Sequence, residues 1–346
     1  MNLKLNSNCI PINGSCRSLI VDFKTKKILP IPNALYEILK FHDGKTISET
    51  QTIYENRFDE IIEQYYNYLI KNDILFKCDK EECFYFPEIS LDFEEPSIIS
   101  NSIVEYKDIL ILKRAIDLLD SLFCKAVQIR LEEFNNSELD DIMHHINKSN
   151  ISNVELIFKQ INVKPNFKDI LLRYPRIAKI VIGLSANNTV STFADSTILE
   201  TIQKVEQQNC GFISQQNFNI HFPSFCESLN YNSCLNKKVC INDNGFIKNC
   251  LSMSKHYGNI NDVDLKEVVQ SEEFQKLWHI KKDDIKVCKV CEFRHICMDC
   301  RAFIKDPNII YSQPAKCNYN PYIAKWKGEE RYITVEEWHS QQKVTN

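Results

Sequence analysis

No stretch of this chain approaches the ~18–20 consecutive apolar residues that a membrane span needs, so no membrane partner is expected. The opening residues, MNLKLNSNCIPING, hold no apolar core of the kind a secretory signal requires. Export is not expected, and a cytoplasmic location is the default. There is no excess of positive charge either. Lys and Arg number 42 against 46 Asp and Glu, and the net −4 disfavours nucleic acid and anionic membranes as partners. Internal repeats and low-complexity tracts are absent. Glycine is scarce, with seven residues in the chain.

What is present is ordinary except for cysteine. Apolar residues make up 44% and charged residues 25%, and 346 residues suffice for two or three globular domains. Fifteen cysteines are abnormal. Disulfides are rare in a reducing cytosol, and an odd count does not pair. Seven cysteines are scattered through the first 233 residues, as small buried hydrophobes often are, whereas eight lie between Cys234 and Cys317.

The front of the chain alternates like strands. Leu19, Val21 and Phe23 precede a Lys24–Lys27 turn and a second strand over Ile28–Ile31, where Pro30 and Pro32 suit an edge. Asn33 is placed to cap a helix that stops at Gly44, Ser48 opens a second, and Asp59 caps a third carrying Ile61, Ile62, Tyr65, Tyr66, Leu69 and Ile70. Strands over Ile74–Phe76 and Phe84–Leu91 flank a polar turn and complete a winged-helix outline over residues 1–92. Cys78 and Cys83 would face each other across that strand pair as buried thiols. The third helix carries Asp59, Glu60 and Glu63 against Lys71, the wrong charge for a phosphate backbone, which excludes DNA.

An acidic linker, DFEEPSIISNS (92–102), leads into alternating units. Strands are predicted over Ile103–Tyr106, Val127–Leu131, Val154–Phe158 and Ile177–Leu184, with helices over Lys113–Phe123, Ser137–Lys148 and Phe167–Tyr174. Repeated βα units imply a parallel sheet of about half a barrel over 103–230, continued by a helix over 197–208 and a strand over Phe218–Phe222. Beyond Cys234 the chain reads as cysteine-punctuated loops with one helix near Leu265–Trp278. The fold class is therefore α/β.

The cysteine pattern is Cys234-x5-Cys240-x9-Cys250, then Cys288-x2-Cys291-x5-Cys297-x2-Cys300, then Cys317. Gly245 supplies a tight turn that would return Cys250 to Cys240. A cubane takes four thiolates, so eight cysteines fit two [4Fe–4S] clusters. Zinc is the competitor, but zinc ribbons usually place ~15–20 residues between their Cys-x2-Cys steps. Here five residues separate Cys291 from Cys297, although an interleaved zinc site is still buildable.

The stretch VCINDNGFIKNC, followed by VCKVCEFRHICMDCRAF and AKC, resembles the SPASM domain of peptide-modifying radical-SAM enzymes. That resemblance implies one auxiliary cluster on Cys234, Cys240, Cys250 and Cys300, and a second on Cys288, Cys291, Cys297 and Cys317. The Cys297-x2-Cys300 step is one residue shorter than the common pattern, which bears on the division of ligands. Radical-SAM chemistry also needs a Cys-x3-Cys-x2-Cys loop after the first barrel strand, and no such spacing exists anywhere in the chain. The Gly-Gly-Glu segment that would hold the cofactor's amino group is missing as well. S-adenosylmethionine is accordingly not expected.

A winged-helix front, a degenerate partial radical-SAM barrel and a SPASM tail (231–346) together resemble the SPASM-domain peptide maturase of grasp-with-SPASM systems. The resemblance implies a ribosomal precursor peptide as substrate and an ATP-grasp ligase as partner. It also implies that residues 1–92 bind the leader by strand addition at Arg17–Phe23 or Ile28–Ile31. Two other readings stay open: a redox or radical peptide-modifying enzyme using the auxiliary clusters, and a zinc-stabilised interaction protein. No catalytic residue is assigned.

Other residues carry bland readings. Glu132 and Glu133 read as an exposed loop, His144 and His145 as helix neighbours that cannot share a metal, and His295 as a hydrogen-bonding residue beside the clusters. Trp326, Tyr332 and Trp338 read as packing for the tail.

Overall fold

The computed structural model describes residues 1–162 and 164–344. Strand β1 (Asn2–Leu5) precedes an antiparallel meander of β2 (Cys9–Ile12), β3 (Ser18–Asp22) and β4 (Lys27–Ile31). Helices α1 (Asn33–Phe41), α2 (Ile47–Ile53) and α3 (Asp59–Lys71) follow, and β5 (Leu75–Cys78) returns to pair with β1.

The central strand β3 is buried on both faces. Ile20 packs with Leu35, Ile38, Tyr66 and Leu69 of the helices, while Leu19 and Val21 point the other way, into a cluster with Phe225, Phe293 and Cys297. Each such apolar side chain contributes about 1.5–3 kcal/mol on burial. Of the two strands expected to offer an edge, Arg17–Phe23 is therefore excluded, because both sides of β3 are already paired. β4 is an edge. The ladder parity turns Pro30 outward, where the missing N–H costs nothing, and Pro11 sits likewise on β2.

The helix starts differ in detail from expectation. Asn33 is the first residue of α1 and does not cap it; its side chain accepts from the Ser18 hydroxyl at 2.7 Å and donates to the Gly14 carbonyl at 3.2 Å. Thr46, not Ser48, opens α2, through a reciprocal capping box with Glu49. Phe58 precedes α3, and Asp59 makes no side-chain cap. The strand expected over Phe84–Leu91 does not form. Residues Glu82–Tyr85 make one 3₁₀ turn, and Phe86 folds back onto Phe76 with ring centroids 4.7 Å apart. Cys78 and Cys83 do adjoin, with sulfurs 2.8 Å apart, but across this turn and not across two strands.

Next come β6 (Asn101–Glu105), α4 (Ile109–Ser121), β7 (Ala126–Leu131), α5 (Asn136–Ile146), β8 (Asn153–Phe158), α6 (Phe167–Arg173) and β9 (Ile177–Ile182). Asp108, Asn135 and Asn166 cap the three helices, each accepting from N–H groups of the first turn. Strands β6 to β9 are parallel neighbours. Val127, Ile129 and Leu131 point toward the helices, whereas Gln128 and Arg130 face the opposite side. The helix expected over 197–208 is instead a hairpin of β10 (Thr189–Phe193) and β11 (Ser196–Glu200), the latter parallel to β9. The strand expected over Phe218–Phe222 is also absent; Phe222 begins α7 (Phe222–Asn230), with Pro223 in its first turn.

On the other flank, β12 (Lys238–Ile241) runs parallel to β6, and β13 (Ile247–Lys248) closes the edge. The cysteine-rich segment thus adds two strands to one eight-stranded, mostly parallel sheet. The helix expected near Leu265–Trp278 is two short ones, α8 (Leu265–Gln270) and α9 (Glu272–Gln275), divided at Ser271, which caps the second. Strands β14 (Tyr319–Asn320) and β15 (Lys325–Trp326) and helix α10 (Val335–Val344) end the described chain. Among the described residues no helix is long and apolar enough to cross a membrane.

Candidate metal centres

The first cysteine group is built on the β12–β13 hairpin. Asn242 accepts from the Phe246 N–H at 2.8 Å, and Gly245 adopts φ +82°, which L side chains resist. This turn sets Cys240 opposite Lys248 and brings its thiol to 3.6 Å from the Asn249 carbonyl, next to Cys250. Buried Asn232 accepts from the N–H groups of Cys234 and Leu235 and donates to Asp299 at 2.8 Å, tying the Cys234 loop to the neighbour of Cys300. Burial pushes the Cys234 and Cys240 thiols up to about 12. Cys250 adds like-charge repulsion at both, and Cys300 adds it at Cys234.

The second group surrounds a cavity. Cys288 and Cys291 sit on a tight turn in which the Cys291 N–H donates to the Cys288 carbonyl at 2.9 Å. Together with Cys297 and Cys317 they line a pocket whose walls include Phe293, Trp326 and the side chain of Lys282. Burial again dominates the thiols, raising Cys288 to about 12 and Cys297 to about 11. All fifteen cysteines are free thiols. Among the described residues, no three or more His, Cys, Asp or Glu side chains converge around a single metal-ion position.

The donor chemistry fits iron–sulfur clusters. Soft sulfur donors lie in largely apolar surroundings, Cys234 and Cys250 against the sheet core and Cys291, Cys297 and Cys317 against the face of β3. Each set has an ammonium beside it. Burial works against the Lys238 charge, but the sulfurs of Cys234, Cys240, Cys250 and Cys210 outweigh it and raise its pKa. Lys282 is held well above the ordinary lysine value in the same way, by Cys288, Cys297, Asp299 and Cys317. Cluster binding would displace the thiol protons and supply the negative charge that these cations face.

Three features escaped sequence reasoning. Cys210, exposed and 24 residues before Cys234, lies within electrostatic reach of Cys234 and Cys300, and Gly211 packs directly on the Cys300 sulfur. Lys238 was legible in principle, since alternation along a strand puts it on the same face as Cys240. A buried Lys282 leaves no pattern in the sequence.

The remaining candidates have other partners. Glu132 pairs with Lys159, and Glu133 accepts from Gln160 at 2.8 Å. His145 bonds Asp117 at 2.7 Å. His295 is buried, and burial together with Arg294 lowers its pKa to about 4, so the ring is neutral. Among the described residues its Nδ1 has no hydrogen-bond partner, and Asp283 lies 3.9 Å from Nε2. Trp326 packs on Phe293 and Tyr319, and Trp338 stacks on Tyr322 at 4.1 Å.

Residues 233–292 match SPASM, an iron–sulfur cluster-binding domain family. The SPASM match contains five of the eight clustered cysteines; Cys297, Cys300 and Cys317 lie beyond it. No curated protein matches the chain. Among solved structures, SuiB of Streptococcus suis bound to S-adenosylmethionine aligns with a TM-score of 0.41 at 10% identity, covering 93% of this chain and 100% of that one. SuiB alone aligns at 0.35 and 9% identity, covering 90% and 98%. SuiB bound to its precursor peptide SuiA aligns at 0.33 and 10%, covering 94% and 100%.

Proposed function

We propose that this protein is an iron–sulfur accessory maturase for a ribosomally made peptide, capturing the precursor and acting beside an ATP-grasp ligase. The observation that carries the reading is the run of eight closely spaced cysteines, four buried and four half-buried, in a chain that lacks any Cys-x3-Cys-x2-Cys loop. Cys234, Cys240, Cys250 and Cys300 would hold one [4Fe–4S] cluster and Cys288, Cys291, Cys297 and Cys317 the other. Such clusters carry single electrons when bound, and full thiolate ligation leaves no iron open to a substrate atom.

The winged-helix unit, residues 1–92, is the leader-binding module in this reading, followed by the partial barrel (103–230) and the cluster domain (231–346). The edge of β4 favours strand addition over that of β2. Ile28 faces outward on β4 with its N–H and carbonyl, whereas on β2 Pro11 has no N–H and the Cys9 N–H already donates to Asn6 at 2.8 Å.

A second reading, a peptide-modifying enzyme, draws on a cavity of about 850 Å³ at the C-terminal ends of β6, β7 and β8. Glu105, Arg130, Glu132 and Lys159 line it, and Leu251, next to Cys250, forms part of its wall. Parallel sheets place their chemistry at this end.

Oxygen-free purification should give a brown protein absorbing near ~400 nm with about eight irons per chain. A colourless zinc protein would defeat the cluster assignment. Incubation with S-adenosylmethionine and a reductant should yield no 5′-deoxyadenosine, and its formation would move the protein to the enzyme reading.

A further inference from the structure

Lys282 is 3% exposed, yet it carries a formal charge. Its Nζ lies 3.6 Å from the Cys297 sulfur, 3.9 Å from the Cys288 sulfur and 3.7 Å from Asp299. Among the described residues Asp299 is the one carboxylate within 4.0 Å of it, and it is fully buried and heavily engaged. Arg301 donates to it at 2.6 Å and Asn232 at 2.8 Å. Two buried cations therefore share one anion, leaving a unit of positive charge against the wall of the second cysteine cavity. An uncompensated buried ammonium is strongly unfavourable, so an anion is expected opposite it. Four neutral thiols cannot supply that charge, whereas four thiolates on a cluster can.

We propose that Lys282 is a positioning residue that raises the reduction potential of the cluster held by Cys288, Cys291, Cys297 and Cys317, donating N–H···S bonds to Cys288 and Cys297. The inference rests on that set binding a cluster. The reduced cluster carries one more negative charge than the oxidised one, so a fixed cation 3.6 Å from a ligand sulfur favours the reduced form. Hydrogen bonds to the sulfurs act in the same direction. A purely structural Lys282–Asp299 pair would affect stability without moving the potential.

The test is a potentiometric titration of the full-length, oxygen-free protein, followed by electron paramagnetic resonance. Wild type and Lys282→Met are compared at equal iron content. The expected result is that Lys282→Met shifts one of the two cluster midpoints to more negative potential and leaves the other in place. Unmoved midpoints at full iron content overturn the proposal, as does a shift to more positive potential. If Lys282→Met sheds iron, Lys282→Arg decides. Full iron with a midpoint near wild type supports a role for the charge, while a strong negative shift, or loss of iron in this variant too, makes the residue structural and overturns it. A wild-type protein without iron would instead remove the cluster reading itself.

Discussion

Arg17 donates to Glu292 at 2.8 Å across 275 residues of sequence. The pair locks the β2–β3 hairpin of the front sheet onto the loop that carries Cys291. Glu292 is fully buried and also accepts from the Tyr319 hydroxyl. Around it, the Ser15 N–H donates to the Val290 carbonyl at 2.8 Å, and Arg294 reaches the Asn13 carbonyl at 2.6 Å. A Cβ on Gly14 would stand 2.9 Å from that of Glu292, so the two surfaces approach as closely as backbone allows. The proposed leader-binding sheet and the second cysteine set are one packed unit.

Breaking this contact should destabilise the protein as a whole. Arg17→Ala leaves a buried carboxylate with one donor fewer, at a cost of about 1–3 kcal/mol. Glu292→Gln keeps the shape, removes the charge and should cost less. Urea denaturation of the two variants orders the effects, and a reversed order would mean that packing outweighs charge at this contact.

The two cysteine sets should empty independently. Cys240→Ala and Cys297→Ala are each expected to lower iron from about eight to about four per chain, with matching loss of sulfide. Loss of all iron from either single variant would show the sets to be one interdependent site.

Gly211 is a sensitive point beside the first set. Its φ is +81°, and an added Cβ would sit 2.9 Å from the Cys300 sulfur. Gly211→Ala should cost about 1 kcal/mol or more in backbone strain and displace Cys300, reducing iron in the first set. Cys210→Ser should keep full iron, because under the proposed assignment four other sulfurs would hold that cluster. Iron loss in Cys210→Ser would make Cys210 a ligand.

Asp22 holds the turn that presents β4. Its carboxylate accepts from the Lys24 N–H at 2.9 Å, the Thr25 N–H at 3.2 Å and the Asn8 amide at 2.7 Å. Burial opposes the charge, but these bonds, with that from the Thr25 hydroxyl, outweigh it and lower the pKa below 3.8. A depressed folded pKa contributes stability that is present above 3.8 and is lost as pH falls through the folded value. Asp22→Ala should therefore cost about 1 kcal/mol at neutral pH and less in acid. Fluorescence polarisation with a labelled leader should show weaker binding to the full-length variant; unchanged binding would remove β4 as the docking edge.

The βα alternation from 101 to 182 was legible because apolar runs that suit strands alternate with helical patterns, but α4 begins at Ile109, capped by Asp108, four residues before the start expected at Lys113. Strands β1 and β2 were not, being four residues each, with Pro11 inside one of them. Ile198, Leu199, Ile202 and Val205 fit a helical stripe, yet Ile198 to Glu200 lie in β11. The unpaired edge of β9 decided that, since its backbone groups need partners. Phe84 to Leu91 has strand-forming side chains, yet it adds no strand to β5, which pairs with β1; a 3₁₀ turn over Glu82–Tyr85 and the packing of Phe86 on Phe76 take its place.

By itself the sequence determined the chemistry on offer: eight closely spaced thiols, soft donors in a number suited to two cubanes, and no Cys-x3-Cys-x2-Cys spacing. Only the tertiary structure decided what those thiols face. Long-range packing set Lys282 and Asp299 beside Cys297, brought Cys210 near Cys300 and pressed β3 against the second set. Burial turns such neighbours into strong electrostatic partners, and burial depends on which distant segments close over a site.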